Sequence, residues 1–200
     1  MADYTTVNVV KAALGITSTS QDAPVGLAIA AASRLIDKHC GRNFTLADAT
    51  VVTSRTYAAD DAVFCTIDDV ASATDLVVET RGSVASPWVV EEATAYQLEP
   101  LNGLRNGLTW PYTAVRMATG GFFPRLRKDA LVRVTAAYGW AEVPAEIEQA
   151  CLIQACRLLK RPESAMGVLG VTDVGVLTVS RGLDTDVAIL LDAYVRTGGM

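Results

Sequence analysis

The sequence predicts an α+β fold in which helices from both ends of the chain form a small bundle and a β-rich insertion lies between them. Apolar residues recur at intervals of three and four near both ends, as on one face of a helix. In the middle the pattern alternates in runs rich in Val, Thr and aromatic residues, which is typical of strands. We therefore expect about four helices in a unit formed by residues 1–44 and 142–200, interrupted by a β-rich insertion of residues 45–141.

Two helices are expected before the insertion. Thr6 can cap the first helix, and Gly15 can end it. Asp22 and Pro24 suit the first turn of a longer second helix, which Gly41 can end. A short connection between the two predicts an αα-hairpin.

Two further helices are expected after the insertion. Pro144 can begin the third, and Pro162 prevents it from continuing. Residues 164–181, rich in Gly and Val, predict a loop with a short strand or hairpin. Asp184 can cap the last helix. Its apolar residues are Val187, Leu190, Leu191, Tyr194 and Val195.

The sequence contains no pattern typical of a catalytic, metal or cofactor site. His39, the single histidine, adjoins Cys40 on a helix, where neighbouring side chains diverge by about 100° and cannot bind one metal ion together. The four cysteines form no CxxC pair, and no GxSxG motif or phosphate-binding glycine loop is present. The sequence therefore predicts a protein that is not an enzyme, with reduced thiols and no cofactor.

No segment of the sequence suggests a membrane protein. The most apolar stretch, residues 25–36, is shorter than the roughly 20 residues that span a bilayer. The first ten residues lack the basic and apolar regions of a signal peptide. We expect a protein that is made and assembled in the cytoplasm.

Three acidic doublets could suggest paired catalytic carboxylates: Asp60-Asp61, Asp68-Asp69 and Glu91-Glu92. Neighbours in an extended chain point to opposite faces, so the members of a doublet cannot act together. All three are interpreted as solvated turns.

Charge is segregated along the insertion. Residues 57–100 hold nine acidic residues against one basic, whereas residues 101–135 hold six basic residues against one acidic. Either an acidic face of one subunit meets a basic face of its neighbour, or interleaved strands mix the charges in space. Under the first interpretation the candidate inter-subunit residues are Arg125, Arg127, Lys128, Asp60 and Asp61. Specific nucleic-acid binding is not expected, because the net charge is −5.

The order of elements resembles the head-to-tail connector (adaptor) proteins of long-tailed bacteriophages. The resemblance rests on CGRNF at Cys40–Phe44 and on the block AYGWAEVPAEIEQACLIQACRLLKR at Ala137–Arg161. YQLEPLNG at Tyr96–Gly103 and RGLDTDVAILLDAYVR at Arg181–Arg196 are similar to versions in phages of actinobacteria.

This resemblance implies a structural protein of the virion, located in the neck between head and tail. Such an adaptor binds the portal protein as a ring of about twelve identical subunits and continues the DNA channel towards the stopper or tail-completion protein. DNA would pass through the lumen without sequence-specific binding. In related connectors the C-terminal end reaches the portal, so the candidate docking residues are Val187, Leu190, Leu191, Tyr194 and Arg196.

Two alternatives remain open at this point. The chain could be another neck or tail-completion subunit, such as a stopper. It could also be a β-sheet module that binds a small ligand or sugar in a pocket lined by Trp88, Trp110 and Trp140.

Overall fold

The computed structural model describes residues 3–118, 120–124, 130–160 and 182–196, together with the backbone of residues 168–172 and 175–178. Contacts divide the chain into two compact units, one of Met1–Phe44 with Val143–Thr197 and one of Thr45–Glu142. The first contains the described helices of more than one turn and the second contains two antiparallel sheets. The α+β fold class predicted from the sequence is confirmed.

Local signals in the sequence determine where the helices begin and end. The four α-helices of the described residues are α1 (Val7–Leu14), α2 (Asp22–Cys40), α3 (Ala145–Lys160) and α4 (Thr185–Leu191). The Thr6 side chain accepts a hydrogen bond from the Val9 amide, and the Asp184 carboxylate accepts one from the Asp186 amide. Gly15 and Gly41 end α1 and α2 in the left-handed conformation, with φ of 67° and 63°. These predicted caps are confirmed.

Helix α2 packs against α3, and α3 packs against α4. Ser33 and Cys151 meet inside this contact, with 3.4 Å between Oγ and Sγ. The apolar faces of the three helices are fully or almost fully buried: Val25, Ala28, Ile29, Ala32, Ile36, Ile147, Ala150, Ala155, Val187 and Leu191. A continuous apolar core therefore forms from residues at both ends of the chain.

Three aromatic rings extend this core. Phe44 contacts Tyr4 and Tyr194 edge-on, each at 5.8 Å between ring centroids. The Tyr4 hydroxyl accepts a hydrogen bond from the Phe44 amide at 2.9 Å and donates one to the Asp37 carboxylate. Tyr194 donates to Glu146 at 3.0 Å. The buried hydroxyls thus have partners, as burial requires.

The β unit contains two antiparallel sheets and one short hairpin among its described residues. Its strands are β1 (Thr53–Tyr57), β2 (Phe64–Val70), β3 (Val77–Arg81), β4 (Val89–Val90), β5 (Tyr96–Glu99), β6 (Leu104–Arg105), β7 (Leu108–Thr109), β8 (Tyr112–Met117) and β9 (Leu131–Ala136). One sheet has the order β1-β9-β3-β4 and the other β2-β8-β5, while β6 and β7 form the hairpin.

The core of the β unit contains side chains from both sheets. Its buried members are Cys65, Ile67, Val70, Val78, Val115, Met117, Phe123, Val132, Val134 and Ala136.

Residues 168–172 and 175–178 add a separate hairpin, β10 (Val168–Thr172) and β11 (Gly175–Thr178), as the Gly- and Val-rich sequence there predicts.

Trp140 and Gly139 hold the first residues of the β unit in place. The Trp140 amide donates to the Thr45 carbonyl at 2.9 Å, and the Ala47 amide donates to the Trp140 carbonyl at 2.8 Å. Gly139 has a φ of +134°, and a Cβ there would lie 2.6 Å from the Thr45 carbonyl oxygen. Glycine is needed at this position for both reasons.

The structure corrects the interpretation of Asp68-Asp69 as a solvated turn. Both residues lie inside β2, where alternation separates them. Asp69 is 7% exposed and accepts a hydrogen bond from the Trp140 indole N–H at 2.9 Å, whereas Asp68 accepts from Arg55 at 2.7 Å. The two carboxylates thus bind the Trp140 indole and the Arg55 guanidinium on opposite faces of β2. Composition alone does not distinguish such a pair from two aspartates in a turn.

Gly139→Ala is expected to lower the free energy of unfolding by about 2 kcal/mol, since the new Cβ clashes with backbone and the φ is strained. Urea denaturation followed by circular dichroism measures the change. Gly26→Ala in α2 is the control, because its Cβ would meet nothing within 4 Å and alanine favours helix by about 1 kcal/mol. A Gly139→Ala protein as stable as the wild type would contradict the packing described.

Leu191→Ala is expected to destabilise the helical unit by roughly 2–5 kcal/mol, because it leaves a cavity under α4 where Leu191 is 0% exposed. Ile189→Ala is the matched control on the same helix. Ile189 is 70% exposed, so its truncation should change the free energy of unfolding by less than about 0.5 kcal/mol. Equal effects of the two substitutions in denaturant titrations would show that α4 does not pack as described.

Candidate assembly interface

Among the described residues no cluster of side chains is placed to bind a metal ion. These residues include no group of three His, Cys, Asp or Glu placed to bind one ion. Cys40 and Cys65 are free and buried, and burial raises the pKa of each thiol to about 12. Because the thiolate is the reactive form, the raised pKa lowers the reactivity of these two cysteines at neutral pH. No helix in the described part of the chain has the length and apolar character needed to cross a bilayer.

The tryptophans do not line a common pocket. Trp110 and Trp140 are 6% and 2% exposed and contact each other edge-on at 5.1 Å between centroids. Trp88 is half-buried elsewhere in the β unit, where its ring contacts the guanidinium groups of Arg81 and Arg133. The sugar-binding alternative therefore lacks its candidate site.

The candidate docking residues near the C-terminus divide into buried and accessible ones. Val187, Leu191 and Tyr194 are 0%, 0% and 4% exposed within the helical unit. Leu190 and Arg196 are half-buried, and the Arg196 amide donates to the Cys40 carbonyl at 2.8 Å. The apolar stripe of α4 is thus part of the core of its own unit, which is one of the two outcomes that an amphipathic helix allows.

The candidate inter-subunit acids are held in a turn. One Asp61 carboxylate oxygen accepts hydrogen bonds from the amides of Val63 and Phe64 at 2.7 and 2.8 Å. The Asp60 carboxylate accepts one from Thr66. Both aspartates are exposed, as expected for a solvated turn. Their possible basic partners, Arg125, Arg127 and Lys128, lie outside the described residues.

Strand pairing mixes part of the segregated charge. Arg116 of β8 forms an ion pair with Glu99 of β5 at 3.0 Å. Arg133 of β9 binds Glu79 of β3 through two hydrogen bonds, one of them 2.6 Å from Nε to Oε2. These bonds hold the pKa of the Glu79 carboxyl below its usual value. For Arg116 and Arg133, therefore, pairing of strands within one chain brings acidic and basic residues together, as the second interpretation of the charge segregation predicts.

The most exposed apolar residues of the larger sheet lie along its edges. Val89 and Val90 of β4 are 57% and 62% exposed. At the opposite edge Val51 and Val52, just before β1, are 56% and 47% exposed. Edges of this kind present backbone groups to which another strand can pair.

Strand β4 is short but held on both faces. The ring of Trp88 lies 4.5 Å from the guanidinium of Arg81 and 4.4 Å from that of Arg133, distances typical of cation–π contacts. On the other face Thr80 donates a hydrogen bond to Glu91 at 2.6 Å. The edge is therefore a fixed surface of the β unit.

Sequence reasoning missed this edge. Two valines between Trp88 and a glutamate pair are too few for an alternating pattern, and only the strand order places them at the border of the sheet. The available signal was Pro-Trp before two β-branched residues, in a segment otherwise rich in turn formers.

No protein-family model matches the chain, and no curated protein matches it. Solved structures do. A chain in the neck of an empty gene transfer agent (GTA) particle, computed with C6 symmetry, matches with a TM-score of 0.55 and 14% identity over 97% of this chain and 90% of that chain.

Two weaker matches come from native particles of the same kind. One is in a neck computed with C12 symmetry, with a TM-score of 0.46, 13% identity and coverage of 97% and 92%. The other is in a virion, with a TM-score of 0.47, 16% identity and coverage of 90% and 80%. The chain from the neck computed with C6 symmetry shares its fold with this chain along nearly the whole length of both.

Proposed function

We propose that the protein is a structural subunit of the neck of a tailed-phage-like particle. The observation that carries this is the fold shared with a neck chain across 97% of the sequence.

Within the neck, the role supported best is that of an adaptor that joins the portal to the stopper and tail as a ring of identical subunits. The resemblance of the sequence to phage connectors supports this finer assignment. The negative net charge of −5 per subunit also suits a channel that DNA must leave freely, since repeated negative charge disfavours binding to phosphates.

Localisation in purified particles tests the proposal. Electron microscopy of the neck should contain ring density that accommodates the helical and β units of this chain. Particles made without the protein should stop at filled heads that lack tails. Absence of the chain from purified particles, or its location in the capsid shell, would refute the function.

Docking to the portal through the C-terminal segment stays a prediction, now with a defined surface. Buried Leu191 supports α4 from beneath, and Ile189 is the apolar side chain that the helix exposes. Ile189→Lys should keep the fold and weaken decoration of tail-less heads, which sedimentation of heads with bound protein measures. Lys38→Glu, at an exposed position on α2, is the control for a surface charge change.

Arg125, Arg127 and Lys128 are proposed to contact the acidic turn of a neighbouring subunit. Reversal of all three to glutamate should weaken assembly and leave the melting temperature nearly unchanged, since exposed ion pairs contribute about 0–1 kcal/mol each. A triple reversal at Lys38, Arg105 and Lys160 alters net charge equally and serves as the control. Unfolding of the first variant, or normal ring assembly, would contradict the proposal.

A further inference from the structure

The hydrogen-bond pattern shows which backbone groups of β4 face outward. The Glu91 amide donates to the Val78 carbonyl at 2.9 Å, so Val78 directs its backbone groups towards β4. In an antiparallel pair, bonded and non-bonded positions alternate. The pair Thr80–Val89 is therefore bonded, and Val90, opposite Glu79, directs its N–H and C=O away from the sheet.

The same alternation identifies the outward groups of β1. Since Val78 faces β4, Glu79 faces β9 and is bonded to Arg133 opposite. The next residues of β9, Val132 and Val134, then face β1, where their partners are Tyr57 and Arg55. Ser54 and Thr56 are left with backbone groups that point away from the sheet. Ser54 Oγ lies 2.7 Å from Thr135 Oγ1, consistent with the closer approach of a non-bonded pair.

The two edges of this sheet are complementary in direction. All three pairings in the order β1-β9-β3-β4 are antiparallel, so β1 and β4 run in opposite directions. If a second copy is related by rotation about an axis along the strands, its β1 lies antiparallel to β4 of the first. The side chains of Ser54, Thr56 and Val90 also lie on one face of the sheet. If Val90 of one copy lies opposite Ser54 or Thr56 of the next, the alternation of side chains between the two faces therefore continues without interruption across the junction.

The outward positions of β1 and β4 carry neither charge nor proline, two of the features by which proteins block unwanted pairing, whereas the shortness of β4 is a third such feature that this edge does have. The outward residues Ser54, Thr56 and Val90 are uncharged, and no proline lies within either strand. The one charged residue of β1, Arg55, binds Asp68 at 2.7 Å and lies 4.0 Å from the ring centroid of Tyr138. Exposed valines lie beside both edges and can be covered by the neighbour.

We propose that β4 of one copy pairs antiparallel with β1 of the next copy, so that the four-stranded sheets join head to tail around a ring. This inference rests on the proposed ring and names its subunit contact. A two-residue strand covers much less than the roughly 800 Å² per partner typical of a stable complex. A pair of copies is therefore weakly associated, and stable assembly needs closure of the ring, in which every copy makes two such contacts.

Sedimentation equilibrium at protein concentrations up to about 1 mM tests the pairing. At this concentration a complex with a binding free energy of about −4 kcal/mol is substantially populated. The wild type should associate in a concentration-dependent manner. Val90→Lys should weaken association at least tenfold, because it places a charge at the junction while keeping the strand. Val84→Lys is the matched control, since Val84 is 64% exposed but lies outside the strands. Absence of association at this concentration, or equal association of wild type and Val90→Lys, would overturn the pairing.

Disulfide trapping distinguishes this contact from a symmetric one. In the proposed pairing Val90 of one copy lies opposite either Ser54 or Thr56 of the next. Two double variants test these two registers, Ser54→Cys with Val90→Cys and Thr56→Cys with Val90→Cys. One of them should form a ladder of covalent multimers on oxidation, whereas Val90→Cys alone should form none beyond the wild type. A covalent dimer of the single variant would show that β4 pairs with β4 about a two-fold axis, and would overturn the proposal.

The outcomes also separate this contact from the proposed function. A protein found in particle necks whose association survives Val90→Lys is a neck subunit that uses another contact. A protein that forms the ladder but is absent from particles has the contact without the function.

Discussion

The contact between α2 and α3 is the interaction on which the helical unit depends. Ser33 and Cys151, which meet there, are 118 residues apart in the sequence, and the whole β unit lies between them. The helical core cannot form until these two distant segments come together, so the loop-closure entropy of the intervening chain opposes it. Burial of Ile29, Ile36 and Ile147 at 2%, 0% and 0% exposure provides the apolar area that offsets this cost.

Features set by short stretches of sequence were predictable. Thr6, Gly15, Gly41 and Asp184 end or cap helices through their own side chains or backbone conformation, so their identity is enough to place a boundary. The change from a helical to an alternating pattern likewise distinguished the two kinds of segment. Each of these signals acts within a few residues of the structure it determines.

Features set by strand pairing were not predictable. Asp68 and Asp69 resemble a turn until β2 is paired and Trp140 is placed against it. Arg133 belongs to the basic segment 101–135, and only the pairing of β9 with β3 shows that Glu79 of the same chain binds it. The register between strands far apart in sequence decides both cases, and composition carries little information about that register.

The placement of the tryptophans has an optical consequence. Trp110 and Trp140 are buried against each other in the β unit, and solvent or partners reach them little. Trp88 is half-buried against Arg81 and Arg133, directly before the exposed strand β4. The protein therefore contains its own fluorophore beside this edge, and a change in tryptophan emission when another molecule covers the edge can be assigned to Trp88 without an added label.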